Sequence, residues 1–163
     1  MIELYFNMDE LSPLWARLEE GLGDKTELNQ SLGELLVQST QDRMQRGEQP
    51  DGSPFAPRSE ATLARYAAKG LSFGAPLNQS GDMRNNIFYE ADARSVRWGS
   101  NAIQAAVMQF GADKGAFGAA ANGSPIPWGR IPARPFLGIS EEDETNIAAE
   151  LREWLEGLAA SRD

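Results

Sequence analysis

Trp128, Arg130, Arg134 and Phe136 fall within nine residues of a segment punctuated by Pro127, Pro132 and Pro135. Arginine carries a rigid fork of donors suited to carboxylates and carbonyls, and aromatic rings bring large, stiff contact areas. This mixture is the chemistry of recognition, not of bond breaking. The prolines hold the backbone extended and remove ladder donors, so an ordinary central strand is excluded. Two readings stay open. In one the segment is an interface; in the other it is an edge strand, with Phe136 packed into the core and Arg134 neutralising a local carboxylate. Both hold if Phe136 points inward and Arg130 outward. Together with Lys114 and Phe117 from the preceding glycine-rich stretch, these four residues form the expected contact set.

The means of catalysis are thin. The chain of 163 residues has no histidine and no cysteine, which removes Ser-His-Asp triads, thiolate nucleophiles and ordinary zinc sites. A hydrolase using Asp51 and Asp82 would need a paired-carboxylate signature, and none is present. Gly111-Ala112-Asp113-Lys114-Gly115 has the glycines of a phosphate cradle without the Lys-Ser/Thr that completes one. Glu141, Glu142, Asp143 and Glu144 open a helix, where the positive end of the macrodipole accounts for them better than a metal does. Asn29-Gln30-Ser31, Asn78-Gln79-Ser80 and Asn122-Gly123-Ser124 match the glycosylation triplet, but the first residues lack a signal-peptide pattern, so the match is read as coincidence. The expectation is a non-enzyme with no cofactor and no metal.

The elements that must position these residues follow from periodicity. Ile2, Leu4 and Phe6 alternate as a short strand. A helix starts with Ser12 and Pro13, with Leu14, Trp15, Leu18 and Leu22 on one face and Gly21 and Gly23 at its end. Asp24 and Glu27 have the spacing of a capping box for a longer helix, whose apolar face is Leu28, Leu32, Leu35, Leu36 and Met44. Residues 47–58 are a turn-rich loop, Ser59 to Lys69 a short helix, and Asp82 to Asn86 a helical turn. Ile87 to Glu90 and Ser95 to Trp98 pair as a hairpin. Ala102 to Phe110 is a short helix, and residues 111–130, with five glycines, read as a flexible Gly/Ala-rich loop. Ser140 and Asp143 cap a last helix with Ile147, Leu151, Trp154, Leu155 and Leu158 on its apolar face. The sum is an α+β fold: N-terminal helices, a small mostly antiparallel sheet with a central hairpin, and a C-terminal closing helix, all in one domain over residues 1–163.

Charge is unevenly spread. Residues 1–50 hold 4 Lys/Arg against 10 Asp/Glu, residues 51–138 hold 9 against 6, and residues 139–163 hold 2 against 8. A net charge of −9 argues against gripping duplex DNA as the main task, because phosphate neutralisation supplies that affinity. Solvated helix faces account for much of the pattern. Its sharper reading is complementarity between neighbouring copies. No stretch approaches the roughly 20 apolar residues of a membrane span.

Four blocks of the chain resemble the phage virion morphogenesis family of Mu-like phages and prophages, also called the tail completion family. They are Asp51-Gly52-Ser53-Pro54-Phe55-Ala56-Pro57; Leu77-Asn78-Gln79-Ser80-Gly81-Asp82-Met83-Arg84; Val96-Arg97-Trp98-Gly99-Ser100 through Ala106-Val107-Met108-Gln109-Phe110-Gly111; and Ile131-Pro132-Ala133-Arg134-Pro135-Phe136-Leu137-Gly138. Gln104 and Met108 depart from the family pattern, which has Tyr and His there. The resemblance implies a structural protein made in the host cytoplasm and built into the virion at the head–tail neck, as a tail terminator or head–tail joining part. It also implies a homo-oligomeric ring, commonly a hexamer, with the tail tube and neck or head-completion proteins as partners and no membrane. An alternative within the same class is a stopper or adaptor beside the portal, whose basic middle touches DNA in the channel.

Overall fold

The computed structural model describes residues 12–160. The expected strand at Ile2 to Phe6 and the side chains of Leu14 and Trp15 lie outside the described residues. The elements are α1 (Ser12–Gly23), α2 (Thr26–Arg46), α3 (Glu60–Ala68), α4 (Asp82–Asn85), β1 (Ile87–Ala91), β2 (Val96–Ser100), α5 (Ala105–Phe110) and α6 (Glu141–Ala160). This is the expected α+β arrangement of helices, a central antiparallel hairpin and a C-terminal helix. None of the described helices is long and apolar enough to cross a membrane.

α2 is the spine. Its buried side is not a pure leucine stripe: Leu28, Leu36 and Met44 alternate with buried Asn29, Gly33, Thr40 and Arg43. Gly33 lets the hairpin approach, because a Cβ there would collide with the Tyr89 ring. The capping box expected from Asp24 and Glu27 does not form. The helix starts at Thr26, so Asp24 Oδ1 accepts instead from the Thr26 N–H at 2.9 Å and its hydroxyl at 2.6 Å, a local Asx-type turn two residues on. Asn29 Nδ2 donates to the Asp92 carbonyl at 2.7 Å and so ties α2 to the hairpin turn.

The hairpin pairs Ile87 with Ser100 and Ala91 with Val96. Its turn is closed by Asp92 Oδ1, which accepts from the N–H groups of Arg94 and Ser95 at 2.7 and 2.8 Å. Those bonds hold the Asp92 carboxyl below its ordinary range.

α6 returns across α2 and α1. Ser140 and Asp143 cap it reciprocally: the Asp143 N–H donates to Ser140 Oγ at 3.1 Å and the Ser140 N–H to Asp143 Oδ2 at 2.9 Å. The apolar face expected for α6 is only partly covered. Ile147, Trp154 and Leu158 are half-buried, while Leu151 and Leu155 are exposed, because α6 meets neighbours along one narrow side.

The core gathers Met44, Phe55, Met83, Ile87, Ala105 and Phe136, with Leu77, Trp98, Met108 and Leu137 packed around it. Each of the four blocks carrying the resemblance contributes here: Phe55, then Leu77 and Met83, then Trp98 and Met108, then Phe136 and Leu137. In this chain, then, all four blocks serve packing. Met108, one of the two positions that depart from the expected pattern, packs against this core, while the other, Gln104, is exposed.

A candidate interaction groove and arm

Within the glycine-rich residues 111–130 the two sides of the loop are joined by backbone hydrogen bonds that owe nothing to side-chain pattern. Ala112 and Ile131 exchange N–H···O bonds of 2.9 and 2.8 Å, Gly115 N–H donates to the Pro127 carbonyl at 2.9 Å, and Phe117 N–H to the Ile126 carbonyl at 2.7 Å. Ile126 N–H returns to Gly118, and a turn at Ala120–Gly123 closes the end. The result is a hairpin-like arm leaving the body after α5. Gly111 stands at its root with φ +75°, and a Cβ there would press on the Ala133 nitrogen and Ile131 oxygen at 2.8 Å.

The arm and its surroundings leave large apolar side chains uncovered. Phe110 is 79% exposed, Trp128 73% and Phe117 58%, and Ile103 and Ile126 are exposed as well. Exposed aromatic side chains repeated along one short stretch of chain make it a candidate for cover by a partner. Lys114 and Arg130 belong to the same stretch of chain, both exposed. Arg130 faces Asp113 only loosely, at 3.8 Å.

The other two members of the expected contact set point inward. Phe136 is 0% exposed and lies at the centre of the core. Its N–H and that of Leu137 both donate to Gln109 Oε1 at 3.0 Å, and Gln109 Nε2 donates back to the Leu137 carbonyl at 3.1 Å. The amide of Gln109 thus replaces the strand partner that the prolines forbid. Arg134 is 7% exposed. Among the described residues no carboxylate receives it, contrary to the edge-strand expectation; its Nε donates to the Ala56 carbonyl at 2.6 Å and Nη2 to the Pro57 carbonyl at 2.7 Å. Arg134 is a fold clamp between two of the four blocks, and Phe136 is core. Phe136 presents no contact surface, and Arg134 reaches the surface only as part of the floor of the groove described next.

Beside the arm root runs a groove of about 730 Å3, walled by α3, the 76–83 segment, α5 and residues 127–134. Four arginines line it, Arg58, Arg65, Arg130 and Arg134, against one carboxylate, Asp82. Arg58 is held as Arg134 is, by carbonyls: Nη1 donates to Gly74 O and Nη2 to Ala75 O, both at 2.7 Å. Its guanidinium also lies over the Tyr66 and Phe73 rings, 5.8 and 5.4 Å from their centres. Carbonyls orient a guanidinium without cancelling its charge. Burial first, and then the nearby charge of Arg58, push the Arg134 guanidinium below its ordinary pKa. Arg58, Arg65 and Tyr66 were not singled out by their sequence context; the clue was the Arg-x-x-x-x-x-x-Arg-Tyr spacing across a helix start, which is common on solvated faces.

A second, acidic cleft lies where the N-terminus of α6 meets the 48–52 turn. Glu48, Asp51, Glu141, Glu142 and Glu144 line it, together with Arg43 and Arg46. Arg43 is consumed internally by Asp143 at 2.6 Å, and Arg46 by Glu48 at 2.8 Å. Asp51 is held ionised below the usual carboxylate range by the hydroxyl and N–H of Ser53. Among the described residues no three carboxylates converge to hold a metal ion.

A sequence profile described as the phage virion morphogenesis family matches residues 7–156 of the chain. No curated protein and no solved structure matches it.

Proposed function

We propose, for a chain that belongs to the phage virion morphogenesis family, a structural part in tail completion and head–tail joining at the neck of the virion. Its family makes it a protein of phage virion assembly. The finer reading is a non-catalytic terminator that works as a homo-oligomeric ring, a hexamer, between the tail tube and the neck or head-completion proteins. Assembly begins in the host cytoplasm and ends in the virion.

One observation carries this reading: the apolar side chains of Phe110, Phe117 and Trp128 stand uncovered on and beside an ordered arm. Burying one such ring against a partner contributes about 2 kcal/mol. An arm already held by its own hydrogen bonds spends little conformational entropy on docking. The remaining expectation for the site, contact through Trp128, Arg130, Lys114 and Phe117, is part of this proposal.

Deleting the gene from a phage or inducible prophage tests it. The lysate should contain filled heads and separate tails, and expression of the chain in trans should restore joined particles. Normal virions from the deletion would overturn the proposal.

A further inference from the structure

We infer that the arginine groove beside the arm is the receptor for the acidic N-terminal end of α6 from a second copy of this chain. The inference deepens the ring reading above and rests on it. It names the two surfaces that meet.

The groove is positive because of how its arginines are held. Arg58 and Arg134 spend their donors on the carbonyls of Gly74, Ala75, Ala56 and Pro57, so their charge stays unneutralised. Arg65 has no ion pair among the described residues, and Arg130 has only the loose one with Asp113. Tyr66 and Trp128 stand beside these charges and give the groove apolar walls. A groove of this size, positive on the floor and apolar at the rim, fits a helix end that carries carboxylates.

The same chain carries that ligand. Glu141, Glu142 and Glu144 stand exposed on the first turn of α6, with Asp51 beside them and Glu48 engaged by Arg46. Arg43 and Arg46 are paired within the chain, so the cleft presents excess negative charge. The two clefts share no residue. A contact between them is therefore heterologous, the kind that generates rings when the rotation closes. Nucleic acid is the weaker occupant, since a net charge of −9 opposes the approach of a duplex.

The test reverses charge on each surface separately, in the full chain. One variant carries Arg65→Glu with Arg130→Glu; the other carries Glu141→Lys, Glu142→Lys and Glu144→Lys. All five side chains are exposed, and circular dichroism should show both variants folded. Sedimentation velocity at low salt should show the wild type associating, with the association weakening as salt rises. Each variant alone should associate at least about tenfold more weakly. Mixed in equal amounts the two should recover association, because every reversed groove then finds a reversed helix end. A wild type that stays monomeric at every concentration, a variant that associates like the wild type, or a mixture that fails to recover would each overturn the inference. So would tight binding of a short DNA duplex that is lost in the groove variant, which would make DNA the occupant. If the gene deletion gives unjoined heads and tails while the mixture stays monomeric, this inference falls and the head–tail role stands; if the deletion gives normal virions, the role itself falls.

Discussion

Replacing Asp143 with alanine should cost more stability than any surface change on α6, although the residue lies in a run of four acids. Asp143 is 0% exposed and Arg43, its partner at 2.6 Å, is 4% exposed. Arg43 also donates to Ser39 Oγ at 2.6 Å and to the Gly138 carbonyl at 2.9 Å, so one guanidinium ties α2 to the start of α6. Removing the carboxylate leaves that cation buried without its counter-charge, which costs about 3–5 kcal/mol. Among the described residues Arg43 Nε and Asp143 Oδ1 have no hydrogen-bond partner, so the pair is imperfect and the lower end, about 3 kcal/mol, is expected. Of a typical total of about 5–15 kcal/mol, that is a large share. Urea unfolding followed by far-ultraviolet circular dichroism measures it. The double variant Arg43→Met with Asp143→Ala should be less damaged than Asp143→Ala alone, since no orphan charge remains.

The pH dependence of this pair has a defined sign. Burial pushes the Asp143 carboxyl up, but the Ser39 hydroxyl, the Ser140 N–H and hydroxyl and the charge of Arg43 outweigh it, and the net shift is downward. A carboxyl depressed in the folded state contributes stability that is complete above its unfolded pKa, about 3.9, and is lost as pH falls through the folded value. The gap between wild type and Asp143→Asn should therefore be full at neutral pH and close only below that range. A loss under about 1 kcal/mol in Asp143→Ala, or a gap to Asp143→Asn that does not change with acid, would refute the buried-pair account.

Three further variants separate fold from contact. Gly111→Ala should lower stability by about 1–3 kcal/mol, because it combines a left-handed backbone with a clash against Ala133 and Ile131 backbone atoms at 2.8 Å; an unchanged melting temperature would mean the arm root is looser than described. Arg134→Ala should destabilise by about 3 kcal/mol through two lost charge-assisted bonds to Ala56 and Pro57. A variant of normal stability that fails in assembly would instead return Arg134 to the contact surface. Trp128→Ser with Phe117→Ser should change thermal stability by no more than about 0.5 kcal/mol yet fail to rescue a gene deletion; full rescue would remove the arm from the contact.

What the sequence made legible was local. The hairpin shows in its alternation and its Asp92 turn, and the α6 cap shows because Ser140 and Asp143 stand three residues apart, a spacing that can work only at a helix start. Arg43 is different: it interrupts a leucine stripe for a partner 100 residues away, and no window around it contains that partner. The arm was illegible for another reason. Its order comes from backbone bonds between glycine, alanine and proline positions such as Gly115 and Pro127, which leave no side-chain period. Arg134 and Phe136 could have faced either way, and the outcome was decided by Gln109, Ala56 and Pro57, elements distant in the chain. The groove exists only once α3 and the arm root come together, so Arg58 and Arg65 looked like ordinary surface charges.

Gold labelling of the chain in intact virions, viewed by electron microscopy, tests the central claim most directly. The account predicts label confined to the head-proximal end of the tail, at the junction with the capsid. Label on the capsid shell or at the distal tip of the tail, or virions free of label, would contradict it.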